Sequence, residues 1–277
     1  MHAGGHQPAA PTPDWAGRTA PSAHNLPRLL ASWGTRLRTP RQPITPRLAD
    51  AMGWMDAVAL AQVLAARPAP TDAPDAETPV LAARRWAEAA LERLVAELHA
   101  AFAEPTLVQG GPPLPSGAFG RGRAIPVRSA GELNPQDAVA PYRLHHATQQ
   151  RALAGRVATF RTRLRAQLSE AGPALAQLAA FDAVFDRALA EAEQQRLSGL
   201  SALLVQRGLD LQAQQPSEPR EPTDAEAWPP VGWRATFWAD VQRLLRAELD
   251  LRLQPVLGLL EALNEAAAAE APPSDSD

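Results

Sequence analysis

An all-α fold is what this sequence predicts, on three observations. Alanine and leucine supply most of a 45% apolar content, and both are good helix formers. Valine and isoleucine are sparse, and no run shows the period-two alternation of a half-buried strand. Apolar residues instead recur three and four positions apart, in segments closed by proline- and glycine-rich breaks. The expected architecture is a helical bundle with a long antiparallel helical hairpin and a C-terminal helix packed along it.

The N-terminal elements come first. Residues 1–24 are rich in Pro, Gly, Ala and His without periodicity and read as a disordered tail. Residues 25–103 form an N-terminal helical region. A short helix covers Leu26–Leu37, and Pro40, Pro43 and Pro46 break the chain after it. Thr45 caps the next helix with Pro46 at its first position. That helix runs to Ala66 with Leu48, Met52, Met55, Ala59 and Val63 on one face. Thr78 and Pro79 repeat this start for a helix ending at Ala103, whose face is Leu81, Trp86, Leu91, Leu94, Val95, Leu98 and Phe102. These N-terminal helices are expected to form a smaller bundle of their own.

A Gly/Pro-rich loop, 104–135, contains GGPPLPSGAFGRGR. The hairpin occupies 136–212: an arginine-rich helix to Ala171, a turn at Gly172-Pro173, and one long second helix. Pro141 fits the first arm only if it falls in the first turn. A Pro/Glu linker covers 213–230. The last helix, 231–269, is kinked or interrupted by Pro255, and an acidic tail, 270–277, ends the chain.

Charge is uneven. The 27 basic residues are all arginine. A GC-rich genome explains that usage, and bidentate phosphate contact is the functional alternative. The net charge of −3 divides into 0 over residues 1–104, +7 over 105–168 and −10 over 169–277. A basic middle before an acidic half implies internal pairing or a polyanion site. Cysteine is absent, which excludes disulfides and thiolate chemistry. No stretch approaches about 18 uninterrupted apolar residues, so no membrane insertion is expected. The N-terminus lacks a signal-peptide apolar region, and the expected location is the cytoplasm.

Catalytic patterns are missing. His145 and His146 are adjacent, so on a helix they point about 100° apart and chelate one ion poorly. There is no HExxH or GxSxG. Gly117, Gly120 and Gly122 lack the Lys-Ser/Thr of a phosphate loop. No cofactor and no metal are expected. Asp182 and Asp186 share a helix face, the one feature a metal-dependent hydrolase or nuclease could use. A non-enzymatic protein is the expectation.

Two sets of residues are candidates for binding. Arg143, Arg151, Arg156, Arg161, Arg163 and Arg165 lie between Asp137 and Glu170 with no acid among them. Helical geometry splits them into one stripe of Arg143, Arg151, Arg161 and Arg165 and another of Arg156 and Arg163. Like charges four apart repel unless an anion neutralises them. That anion is either the hairpin's acidic arm, with Asp182, Asp186, Glu191 and Glu193, or nucleic-acid phosphate, duplex DNA included. Arg121 and Arg123 in the Gly-rich loop add to the second reading, while Tyr142 and Phe160 are the few aromatics nearby. The candidate partner face is Trp54 together with Trp238, Leu245, Leu249, Leu253 and Leu257. On the same last helix, Arg246–Asp250 and Glu248–Arg252 are four apart. Such pairs ordinarily stabilise an exposed helix by about 0.2–0.5 kcal/mol each; alternatively the segment AELDLRLQ docks a partner.

Three segments together carry a resemblance: LPRLLASW at Leu26–Trp33, MGWMDAVALAQVL at Met52–Leu64, and FWADVQRLLRAELDLRLQPVLGLLEAL at Phe237–Leu263. Between them, YRLHH…RLRAQL and ALAQLAAFDAVFDRAL extend it over 26–265. The chain resembles a proteobacterial domain-of-unknown-function family of Ala/Arg-rich helical proteins. The resemblance implies a cytoplasmic accessory component of the third type of the Zorya anti-phage defence system. Such components are encoded beside MotA/MotB-like membrane motor subunits and an adjacent accessory protein. The resemblance leaves open whether this chain reads DNA, couples to the motor or holds that protein. Binding the accessory protein is the expected role, with nucleic-acid binding as the alternative. No catalytic residues come with it.

Overall fold

The computed structural model describes residues 22, 24–35, 46, 52–66, 79–105, 135–214 and 229–270. Seven helices are present among them and no strand: α1 (Asn25–Ser32), α2 (Trp54–Ala65), α3 (Pro79–Ala103), α4 (Pro135–Ala171), α5 (Pro173–Ser198), α6 (Leu200–Ala213) and α7 (Trp233–Glu270). The chain is an all-α bundle. Residues 1–21, 23, 36–45, 47–51, 67–78, 106–134, 215–228 and 271–277 lie outside the described residues, and with them the Thr45 cap, Arg121 and Arg123, and most of the Gly/Pro-rich loop and the two tails.

The hairpin forms where glycine and proline meet. Gly172 has φ 155° and ψ 163°, a conformation that L side chains rarely adopt. Pro173 then starts α5, where its missing N–H costs nothing. The arms run antiparallel: Arg161 bonds Asp182, and eleven residues earlier Gln150 reaches the Leu197 carbonyl oxygen.

The second arm is not one helix. Its ladder lapses at Gly199, between α5 and α6. Ser198 donates its hydroxyl to the Gln195 carbonyl at 2.8 Å, and a serine bonded back to its own helix beside a glycine of low propensity favours an interruption. Pro141 also departs from expectation, because α4 starts at Pro135 and places it beyond the first turn. Pro255 lies inside a continuous α7. It is exposed, so the carbonyl its ring deprives of a donor lies on that same exposed side.

Helices α4 and α7 form the centre. Helix α3 packs against both, as do α5 and α6, while α1 lies on α7 and α2 on α5. The expected separate N-terminal bundle is therefore corrected. Leu26 and Leu30 of α1 and Val80, Leu91, Leu98 and Phe102 of α3 belong to the same core as α4 and α7. Helix α7 is enclosed by five neighbours and buries sixteen residues. One close approach is specific: a Cβ on Gly208 of α6 would stand 2.8 Å from Phe237 Cζ and 3.0 Å from Val139 Cγ2. Only glycine lets α6 lie this close to α4 and α7.

Candidate functional site

The candidate partner face on α7 turns inward. Trp238, Leu245, Leu249 and Leu253 are buried, and Leu257 is partly buried against the same core. A helix walled in by neighbours spends its leucines on its own fold, at roughly 1.5–3 kcal/mol for each fully buried side chain. The docking role drawn for these five residues is thus corrected. Trp54 is the reverse case. It stands 80% exposed at the start of α2, beside Met55 at 74%. Gly53 N–H bonds Asp56 Oδ2 at 3.2 Å and fixes that first turn.

The arginine helix divides into three groups. Arg161 and Arg165 face α5. Arg161 Nε and Nη2 donate to Asp182 at 2.8 and 2.5 Å, and its Nη1 donates to Asp186 at 2.6 Å. Arg165 Nη1 bonds both carboxylates at 3.2 and 3.0 Å. Burial works against the Arg161 charge, but the Asp182 bonds and the fields of Asp182, Asp186 and Glu193 outweigh it and raise its pKa. This closed cluster occupies the two aspartates a metal centre would have needed. Among the described residues no group of three or more His, Asp and Glu is placed to hold a metal ion.

Arg156 and Arg163 form the second group and face α3. Arg156 pairs with Glu97. Both arginines line a groove of about 340 Å³ between α3 and α4, with Arg93 across from them. Trp86 and Phe160 stack there, centroids 6.0 Å apart and planes within 12°. Arg143 and Arg151 are the third group, exposed and without an ion pair among the described residues. Tyr142 belongs to the interior, tilted against Phe237 at 5.1 Å.

A buried polar cluster joins α4, α5 and α7. Glu248, His145 and His146 are fully buried. Glu248 accepts from Arg252 Nε and Nη2 at 3.1 and 3.0 Å and from Gln150 Nε2 at 3.0 Å. Arg252 Nη1 also reaches Glu193 on α5 at 2.6 Å. Burial pushes the Glu248 carboxyl up, against the pull of Arg252 and Gln150. His146 Nε2 lies 4.0 Å from Glu248 Oε2, beyond a hydrogen bond. Burial, helped by His145, lowers the His146 pKa to about 4. His145 Nε2 lies 3.3 Å from the Phe102 carbonyl oxygen and is lowered chiefly by burial.

The sequence pattern missed this cluster. The Glu248–Arg252 pair forms, but inside the bundle, so its reading as an exposed-helix pair is corrected. Arg246–Asp250 does not form: Arg246 bonds Gln242, and Asp250 accepts from Asn25 of α1 at 2.6 Å. Glu248 shares a helix face with Leu244 and Leu245, and that was the available signal of burial.

Fold and geometry define the class: an all-α bundle whose buried charges are closed on one another, with a cationic groove and one apolar outer helix left open. The chain belongs to the family described as protein of unknown function (DUF3348), whose model matches residues 14–265. No curated protein and no solved structure matches it. No helix among the described residues is long and apolar enough to cross a membrane.

Proposed function

We propose that this chain is a non-enzymatic helical component of an anti-phage defence system. It docks an adjacent accessory protein in the cytoplasm, downstream of a MotA/MotB-like membrane motor of the Zorya kind. The biological setting comes from the family resemblance. One structural observation supports docking: α2 buries none of its residues, yet presents Trp54 and Met55 to solvent, with Leu64 62% exposed. Exposed aromatic and methionine side chains are the residue types that anchor protein interfaces. Co-expression with the accessory protein encoded beside it, followed by size-exclusion chromatography, tests the reading. Co-elution as one complex supports it, and separate elution at micromolar concentration opposes it.

A second reading, a nucleic-acid-binding adaptor using α4, draws on exposed Arg143, Arg151 and Arg163. Arg161 and Arg165 no longer serve it, being closed on Asp182 and Asp186. It predicts duplex DNA binding that weakens steeply with salt.

A further inference from the structure

The groove between α3 and α4 is a different surface from the α2 face, and its chemistry is different. Ala90 and Gly155 keep its floor low, because neither carries a side chain beyond Cβ. The Trp86–Phe160 stack makes one wall aromatic. Above that floor stand three guanidiniums, Arg93, Arg156 and Arg163, against one carboxylate, Glu97. Arg93 and Arg163 have no ion pair among the described residues. The Arg156–Glu97 pair is 40% and 58% exposed, and a surface pair of that kind is worth about 0–1 kcal/mol, so a competing anion releases Arg156 readily. Arg156 and Arg163 are seven residues apart, two turns, or about 10 Å along α4. The volume, about 340 Å³, falls in the range of small-ligand clefts, roughly 300–1,000 Å³.

We propose that this groove binds a nucleoside phosphate, with phosphate oxygens on Arg93, Arg156 and Arg163 and the base against the Trp86 side of the aromatic wall. Guanidinium forks match phosphate oxygens bidentately. An apolar floor beside them suits a flat base and gives an inorganic anion nothing extra. The same chemistry comes from a free nucleotide or from one unit of a single strand, and the test separates the two.

The experiment titrates the full chain by calorimetry with ATP, with inorganic pyrophosphate and with a short single-stranded oligonucleotide. It compares Arg93→Glu/Arg163→Glu with Arg28→Glu/Arg196→Glu, which changes charge equally at exposed positions outside the groove and outside the α4 arginines. The expected result is ATP binding that the groove variant weakens by about tenfold or more and the control leaves within about twofold, both variants keeping the helical circular dichroism. Trp86→Phe should weaken ATP but not pyrophosphate. Oligonucleotide binding with the same variant pattern but no ATP binding assigns the groove to a strand. Absence of both, or equal loss in the two charge variants, overturns the proposal.

Discussion

Arg252 Nη2 bonds the fully buried Glu248 carboxylate at 3.0 Å while its Nη1 holds Glu193 of α5 at 2.6 Å. One guanidinium thereby ties the central helix to the hairpin's second arm. Removing one partner of a buried pair leaves an uncompensated charge and costs about 3–5 kcal/mol. Arg252→Met should lose stability of that order in urea unfolding. Adding Glu248→Met should recover much of it, because the orphaned carboxylate is gone. The Arg252→Met loss should also shrink at acidic pH. With its cation removed the folded Glu248 pKa rises further, and protonation relieves the penalty as pH falls through it.

His146 gives a pH dependence of opposite sign. Its folded pKa of about 4 lies below the ordinary 6.5. The unfolded chain binds the proton first, so stability is fully present above pH 6.5 and falls as pH drops towards 4. The shift corresponds to about 3 kcal/mol. His146→Leu should be neutral or stabilising at pH 7, since neither ring nitrogen has a hydrogen-bond partner among the described residues. The variant should also flatten the acid limb of stability measured against pH. An unchanged acid limb would show that other groups set it.

The Arg161–Asp182 cluster separates structure from binding. Arg161→Ala should cost about 1–3 kcal/mol by thermal unfolding, because Asp182 loses two charge-assisted bonds. Arg143→Ala and Arg151→Ala, at exposed positions, should stay within about 0.5 kcal/mol of the parent.

Gly208→Ala tests the α6 approach. Its new Cβ would meet Phe237 Cζ at 2.8 Å. Overpacking of that kind costs about 1–3 kcal/mol, readable as a lower urea midpoint at unchanged m-value.

Much of this fold was legible in the sequence because proline and glycine punctuate it. Gly172-Pro173 marked the hairpin turn, and the three- and four-residue spacing around Leu91, Leu98 and Phe102 marked the α3 core face. What stayed hidden depended on how many neighbours each helix has. The segment AELDLRLQ alternates charge and leucine and reads as a surface. It becomes interior because α1, α3, α4, α5 and α6 surround α7, and because Arg252 and Gln150 stand where Glu248 needs them. Helix α2 reads as a core helix by apolar content, yet α5 is its one extensive neighbour among the described residues. Of the arginines, stripe geometry separated Arg156 and Arg163 from Arg161 and Arg165. It could not say that α3 lies beneath the first pair, or that Trp86 stacks on Phe160 beside it.

Docking of the adjacent accessory protein by α2 carries the proposed function. It is read from the dissociation constant of that pair, for the parent chain and for Trp54→Ser/Met55→Ser. A micromolar or tighter complex is expected, and the variant should weaken it by about 2 kcal/mol or more, the size of an interface hot spot. Unfolding should be unchanged, because α2 buries neither residue. Undiminished binding by the variant, or no complex with the parent chain, would contradict docking through α2.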